Sequence, residues 1–310
     1  MLEHLEPRLP LTAVPTGDIA LVHSFSAGPQ ALDEAPAAIA GSPSNRLVVY
    51  EGRGFEDRAG VFLNATSANG AANLGADQTD AIRVNDTITG EQTAPQIAAD
   101  PTGRSVVVWQ GRGAGDKTGV FFALFDASAT RVLIDGARET LVNETIGGVQ
   151  SHPAVAMAAD GSFAVAWHGV GSGDVSGVYL RLFDAAGAAT TGEILVNTTT
   201  EDHQSHPTLA YQTNGTLVVA WQSLGQDGDG WGVYSQRFAA DGTPEGDETR
   251  VATTTAGSQT HAHLAAAPSG GVVTSWNDRG ATSDDADVIA RAFASSGTPT
   301  TDDVMLFSVT

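Results

Sequence analysis

The chain contains no cysteine. Disulfides, thiolate catalysis and cysteine-ligated zinc or iron–sulfur sites are therefore excluded. Lysine is nearly as scarce, with Lys117 alone against fourteen arginines. Basic residues number 15 and acidic residues 36, so the formal net charge is −21. Such a surface repels nucleic acid and anionic membranes, and neither is an expected partner. No apolar run reaches the roughly 18 to 20 residues that a membrane helix needs.

What is present points to β structure. Hydrophobic residues make up 41% of the 310, enough for a sizeable core, and the 36 glycines suit many turns. The few aromatics are placed regularly. One recurs at Tyr50, Trp109, Trp167, Trp221 and Trp276, with spacings of 59, 58, 54 and 55. A proline recurs at Pro36, Pro95, Pro153 and Pro207, with Ala262 in the fifth place. A second aromatic recurs at Phe125, Phe183, Phe238 and Phe293, where the first copy has Thr66. These positions define five copies of one internal repeat.

Each copy reads as four short strands. In the third they are PAVAMAA, FAVAWHG, GVYLRLF and EILVN, from Pro153 to Asn197, with Asp160-Gly161 as a tight turn after the first. Side chains alternate with period two, and helical periodicity is absent. Four antiparallel strands in about 55 residues cannot bury both faces alone, but a ring of such sheets can. The expected fold is all-β: a five-bladed β-propeller of four-stranded antiparallel blades, with the Trp and Phe positions wedged between neighbours. About 55 residues is too short for a sandwich domain and too long for a solenoid coil. Residues 1–16 are set aside as a targeting or sorting segment, and 17–310 form the propeller. Gly17–Ser24 copies a fourth strand, as does Val304–Val309. The spare N-terminal copy is expected to pair with the last blade.

The copy LVVAWQSLGQDGDGWGVYSQRFAADG, Leu217 to Gly242, resembles a repeat of large secreted and surface proteins of bacteria. LEPRLPLTA, Leu5 to Ala13, resembles the LEPR-XLL segment that opens many such exported proteins, although Pro10 departs from its leucine. The resemblance implies export, adhesion or display at the cell surface, and no known catalysis.

Three sets of residues are candidate sites. The loop after the second strand carries Asp57, Asp116 and Asp174 in three copies, Asp227 and Asp229 in the fourth, and Asp284, Asp285 and Asp287 in the fifth. Calcium takes oxygens from such loops, but none has the full pattern of a calcium loop, and Asp with Gly also simply makes turns. His152, His206 and His261 share one position at the start of the first strand, where the first two copies have Ala35 and Ala94. They can line one mouth of a ring and bind a metal or an anion, or each can hydrogen-bond its neighbouring blade. Trp231 lies in a GDGWG loop, placed either to stack on a sugar or to pack on a neighbouring loop.

No nucleophile, zincin or P-loop motif occurs, and no catalytic residue is assigned. The inner strands read as apolar, which speaks against a central carboxylate pair. The expectation is a non-catalytic extracellular binding or adhesion module rather than an enzyme. Its partners would be glycans or another surface protein, and calcium is the one cofactor the loops suggest. The alternatives are a display repeat without a small ligand, and a carbohydrate-active hydrolase.

Overall fold

The alternating runs become strands, and no helix occurs among the described residues. The structure, a computed structural model, describes residues 38–42, 45–54, 57–67, 81–280 and 287–308. The third copy shows the common plan. Its strands span Gln150–Met157, Phe163–Gly171, Asp174–Phe183 and Ile194–Leu195, and each pairs antiparallel with the next. The other copies repeat this order, and the second adds a two-residue strand, Arg131–Val132, beside its third. The chain is thus a five-bladed β-propeller. Val304–Phe307 forms the fourth strand of the last blade, paired to Val288–Ala290. Residues 1–16 and the spare copy Gly17–Ser24 lie outside the described residues.

The Asp160-Gly161 turn forms as its chemistry requires. Gly161 takes φ of 87° and donates its N–H to the Ala158 carbonyl. L-residues rarely adopt that φ, which glycine reaches without cost.

The repeating tryptophans are the wedges. Trp109, Trp167 and Trp221 are fully buried, and Trp276 is 1% exposed. Each packs on the blade before its own. Trp109 lies with Leu47, Val49 and Leu63 of the first blade. Trp167 meets Val106, Val108 and Phe122. Trp221 meets Ala164, Ala166 and Leu180, and Trp276 meets Val233 and Val251. Truncating one such side chain to alanine costs about 3–5 kcal/mol.

Polar groups tie the blades at their outer edges. Glu139 of the second blade accepts the backbone N–H groups of Asp86 and Thr87 and the Thr87 hydroxyl. Glu193 does the same for Thr145, and Glu248 for Thr198. Asp303 takes this role for Thr253. Much of the repeated motif therefore encodes assembly.

Candidate functional site

A second set of ties lies at the inner ends of the blades. The first strand of each of blades two to five carries a bulge, seen as a register shift at Thr93/Gln96, Ser151/Ala154, Ser205/Thr208 and Thr260/His263. Within it Ala94, His152, His206 and His261 take φ of 51°, 50°, 52° and 53°. Left-handed backbone at a residue other than glycine costs of order 1–3 kcal/mol. Here it turns the backbone N–H toward the preceding blade. Ala94 donates to Glu51 Oε1 at 2.5 Å, His152 to Gln110 Oε1 at 2.6 Å, and His261 to Gln222 Oε1 at 3.2 Å. Glu51, Gln110, His168, Gln222 and Asn277 each follow the repeating aromatic, so one strand position supplies the acceptors. Beside the bulge, Gly111 and Gly169 let the first two strands of one blade close up, since a Cβ there would meet the Glu91 or Val149 carbonyl oxygen at 2.3 or 2.2 Å.

The bulge also brings the histidines together. Ring centroids of His152 and His206 lie 4.2 Å apart, those of His152 and His168 4.8 Å, and those of His206 and His261 5.4 Å. Ser151 Oγ lies 3.1 Å from His168 Nε2. Loss of water holds His168 down at about 3, helped by the neighbouring His152, His206 and His203. His206 is lowered to about 4 by the same loss of water and by His152 and His261. His152 is lowered too, first by lost hydration and then by His261. These three imidazoles are therefore neutral at neutral pH. Glu51 moves the other way. Lost hydration raises its pKa, the Ala94 N–H opposes this, and Glu91 adds to it. One inner rim thus carries a carboxyl that holds its proton longer than usual and imidazoles that release theirs early.

Trp231 opens a cleft between the fourth and fifth blades. It has a volume of about 480 Å³ and is lined by Asp229, Trp231, Ser258, His261, Asn277 and Arg279, among others. Trp231 is partly covered, and its N–H lies 3.3 Å from Ser258 Oγ. Asp229 accepts the Gly257 N–H. Of the expected site residues, Trp231, His261 and Asp229 share this cleft, while His152 and His206 continue from His261 along the rim.

The loop aspartates are built into the blades. Asp116 Oδ2 accepts from Asn143 Nδ2 and Oδ1 from the Thr118 N–H, and the Asn143 side-chain Oδ1 accepts the Val120 N–H. Asp174 with Asn197, and Asp57 with Asn85, repeat the arrangement. In the fourth blade Ala252 stands where the first three have Asn, and Asp227 Oδ2 is buried with no hydrogen bond. No three His, Asp or Glu side chains that could hold a metal ion come together among the described residues. Asp284 and Asp285 lie outside those residues.

No family model and no curated protein matches the chain. Solved structures do. A protein of unknown function from Dyadobacter fermentans is similar at a TM-score of 0.55, with 12% identity over 88% of this chain and 83% of that one. The arabinanase Arb43A of Bacillus subtilis gives a TM-score of 0.46, with 15% identity over 87% and 98% of the two chains. An α-L-arabinofuranosidase from Lactobacillus brevis gives 0.48, with 12% identity over 86% and 94%. At these identities the likeness concerns the fold.

The expectation of a non-catalytic binding or adhesion module, and not an enzyme, is corrected here. Similar solved structures include an arabinanase and an arabinofuranosidase, so the architecture does not mark a chain as non-catalytic. The apolar look of the inner strands also misled. The titratable groups come from the bulge and from the residue after the aromatic. Glu51, Gln110 and His168 were missed for that reason, and their fixed offset from the aromatic was the available signal. No helix among the described residues is long and apolar enough to cross a membrane.

Proposed function

We propose that the protein is an exported, carbohydrate-active hydrolase whose chemistry lies on the inner rim of the blades. The observation that supports this is that both kinds of shifted group occur at the inner ends of the blades, Glu51 raised in the first and His152 and His206 lowered in the third and fourth. Environments that push two titratable groups in these directions create an acid and a base on one surface. In this reading Glu51 gives its proton to the leaving glycosidic oxygen as the C–O bond breaks. A neutral imidazole of His152 or His206 takes a proton from the attacking water, which adds to the sugar carbon. Trp231 offers an apolar face for a sugar ring, and Asp229, Asn277 and Arg279 offer polar partners in the same cleft. Export rests on the LEPR-like segment and the surface-protein repeat.

The test is release of reducing sugar from a panel of plant and bacterial polysaccharides and aryl glycosides. Glu51→Gln is expected to lower the rate at least about 100-fold with melting unchanged. Absence of turnover on every substrate, or full activity in Glu51→Gln, would overturn the proposal.

A further inference from the structure

Arg112, Lys117 and Arg279 are set apart from the other cations. Elsewhere, arginines whose side chains are described are engaged within the fold. Arg138, Arg181, Arg237 and Arg291 pair with carboxylates. Arg83, Arg104, Arg131 and Arg250 donate to backbone carbonyls. The side chains of Arg112, Lys117 and Arg279 make no hydrogen bond or ion pair among the described residues, and all three residues are exposed. Yet each lines a cleft next to the histidine rim.

Arg112 and Lys117 together line two adjoining clefts of about 770 and 390 Å³ at the boundary of the second and third blades. The smaller is also lined by Gln110, the acceptor for the His152 N–H. Arg279 lines the Trp231 cleft beside His261. Arg112 and Arg279 hold the same place in the repeat, three residues after Trp109 and Trp276. In a chain of net charge −21, unengaged cations on both flanks of one rim make local attraction for anions within a repelling surface. The acidic groups alongside are Glu91, Asp116 and Asp229. Asp116 is held by Thr118 and Asn143, and Asp229 by the Gly257 N–H.

We infer that the ligand of the rim is an acidic saccharide, with carboxylate or sulfate groups spaced to reach Arg112 and Lys117 on one side and Arg279 on the other. This rests on the reading of the rim as a carbohydrate site. Planar guanidinium groups suit either anion by paired hydrogen bonds, and Lys117 adds a point charge. The net negative charge elsewhere keeps the polyanion from spreading over the rest of the surface.

The experiment measures binding by calorimetry on the full chain, separately from turnover. Probes are oligogalacturonate for carboxylate, a sulfated galactan oligosaccharide for sulfate, and neutral arabinan and xylan oligosaccharides. At low salt, at least one acidic probe is expected to bind at least about tenfold tighter than the neutral ones, and the gap is expected to shrink as salt rises. Arg112→Gln with Lys117→Gln, and separately Arg279→Gln, should each reduce that binding about tenfold with melting unchanged. Tighter binding of oligogalacturonate assigns carboxylate, and tighter binding of the galactan assigns sulfate. Acidic probes that bind no better than neutral ones, or binding that survives both variants, overturns the inference. Salt-sensitive binding without turnover would sink the hydrolase proposal and leave this one standing. Turnover of neutral glycans, unchanged in Arg112→Gln with Lys117→Gln, would do the reverse.

Discussion

The imidazole rings of His152 and His206 stand 4.2 Å apart, centroid to centroid, across the boundary between the third and fourth blades. Two such rings coexist at this distance when both are uncharged. His168 stands 5.9 Å from His206 on the same boundary, so a proton on any one of the three raises the cost of a second.

Acid should therefore weaken the fold. The folded values of about 3 for His168 and about 4 for His206 lie below the ordinary 6.5. Between these values and 6.5 the unfolded chain binds protons that the folded chain does not. The contribution is fully present above about 6.5 and is lost as pH falls toward 4 and then 3. Thermal melting is expected to drop by roughly 5 °C or more between pH 7 and pH 4.5. His168→Gln with His206→Gln should flatten that dependence, and an equally steep loss in the double variant would refute the assignment.

The proposed chemistry predicts a rate profile displaced to the acid side. His206 must be neutral, so activity rises above its value of about 4. Glu51 must hold its proton, so activity falls as pH passes the raised value of that carboxyl. The measurement is kcat/KM against pH. Glu51→Gln should remove turnover across the whole range, and a profile that keeps climbing past neutrality would contradict the roles given.

Asn143→Ala should be costly although Asn143 lines none of the three clefts described. It leaves Asp116 Oδ2 without its amide partner and the Val120 N–H without an acceptor, both buried. The expected loss is about 2–4 kcal/mol in urea unfolding. A loss below about 0.5 kcal/mol would show that the Asp–Asn link is not structural.

The fourth blade offers the opposite change. Ala252→Asn places an amide where Asn85, Asn143 and Asn197 stand in the first three blades, opposite the unpartnered Asp227 Oδ2. A gain of about 1 kcal/mol is expected, and it should vanish when Asp227→Ala is added. A destabilised Ala252→Asn protein would show that the blade has closed over the missing side chain.

The architecture was legible because its signals are local or strictly periodic. Trp167 sits in an alternating strand, and Asp160-Gly161 turns within a few residues. The rim was half legible. His152, His206 and His261 share a repeat position, which placed them on one ring. Glu51 and His168 sit in strands whose alternation reads as ordinary packing, and only a bond to the next blade, such as Glu51 to Ala94, shows where they point. The aspartate loops read as turns or as calcium ligands because the partner of Asp116 lies 27 residues on, two residues past a fourth strand only two residues long. Nothing near Asp116 in sequence announces Asn143.

The left-handed bulge on the inner strand has a consequence for heredity. Its tie to the preceding blade runs through the main-chain amide, so Ala94 and His152 serve the neighbour equally well. A duplicated blade inherits the fastening without inheriting a required side chain at that spot. Substitution there can alter what the rim presents to solvent while the ring still assembles. Across the present copies, alanine in the second blade and histidine in the third, fourth and fifth are such variants, side by side in one molecule.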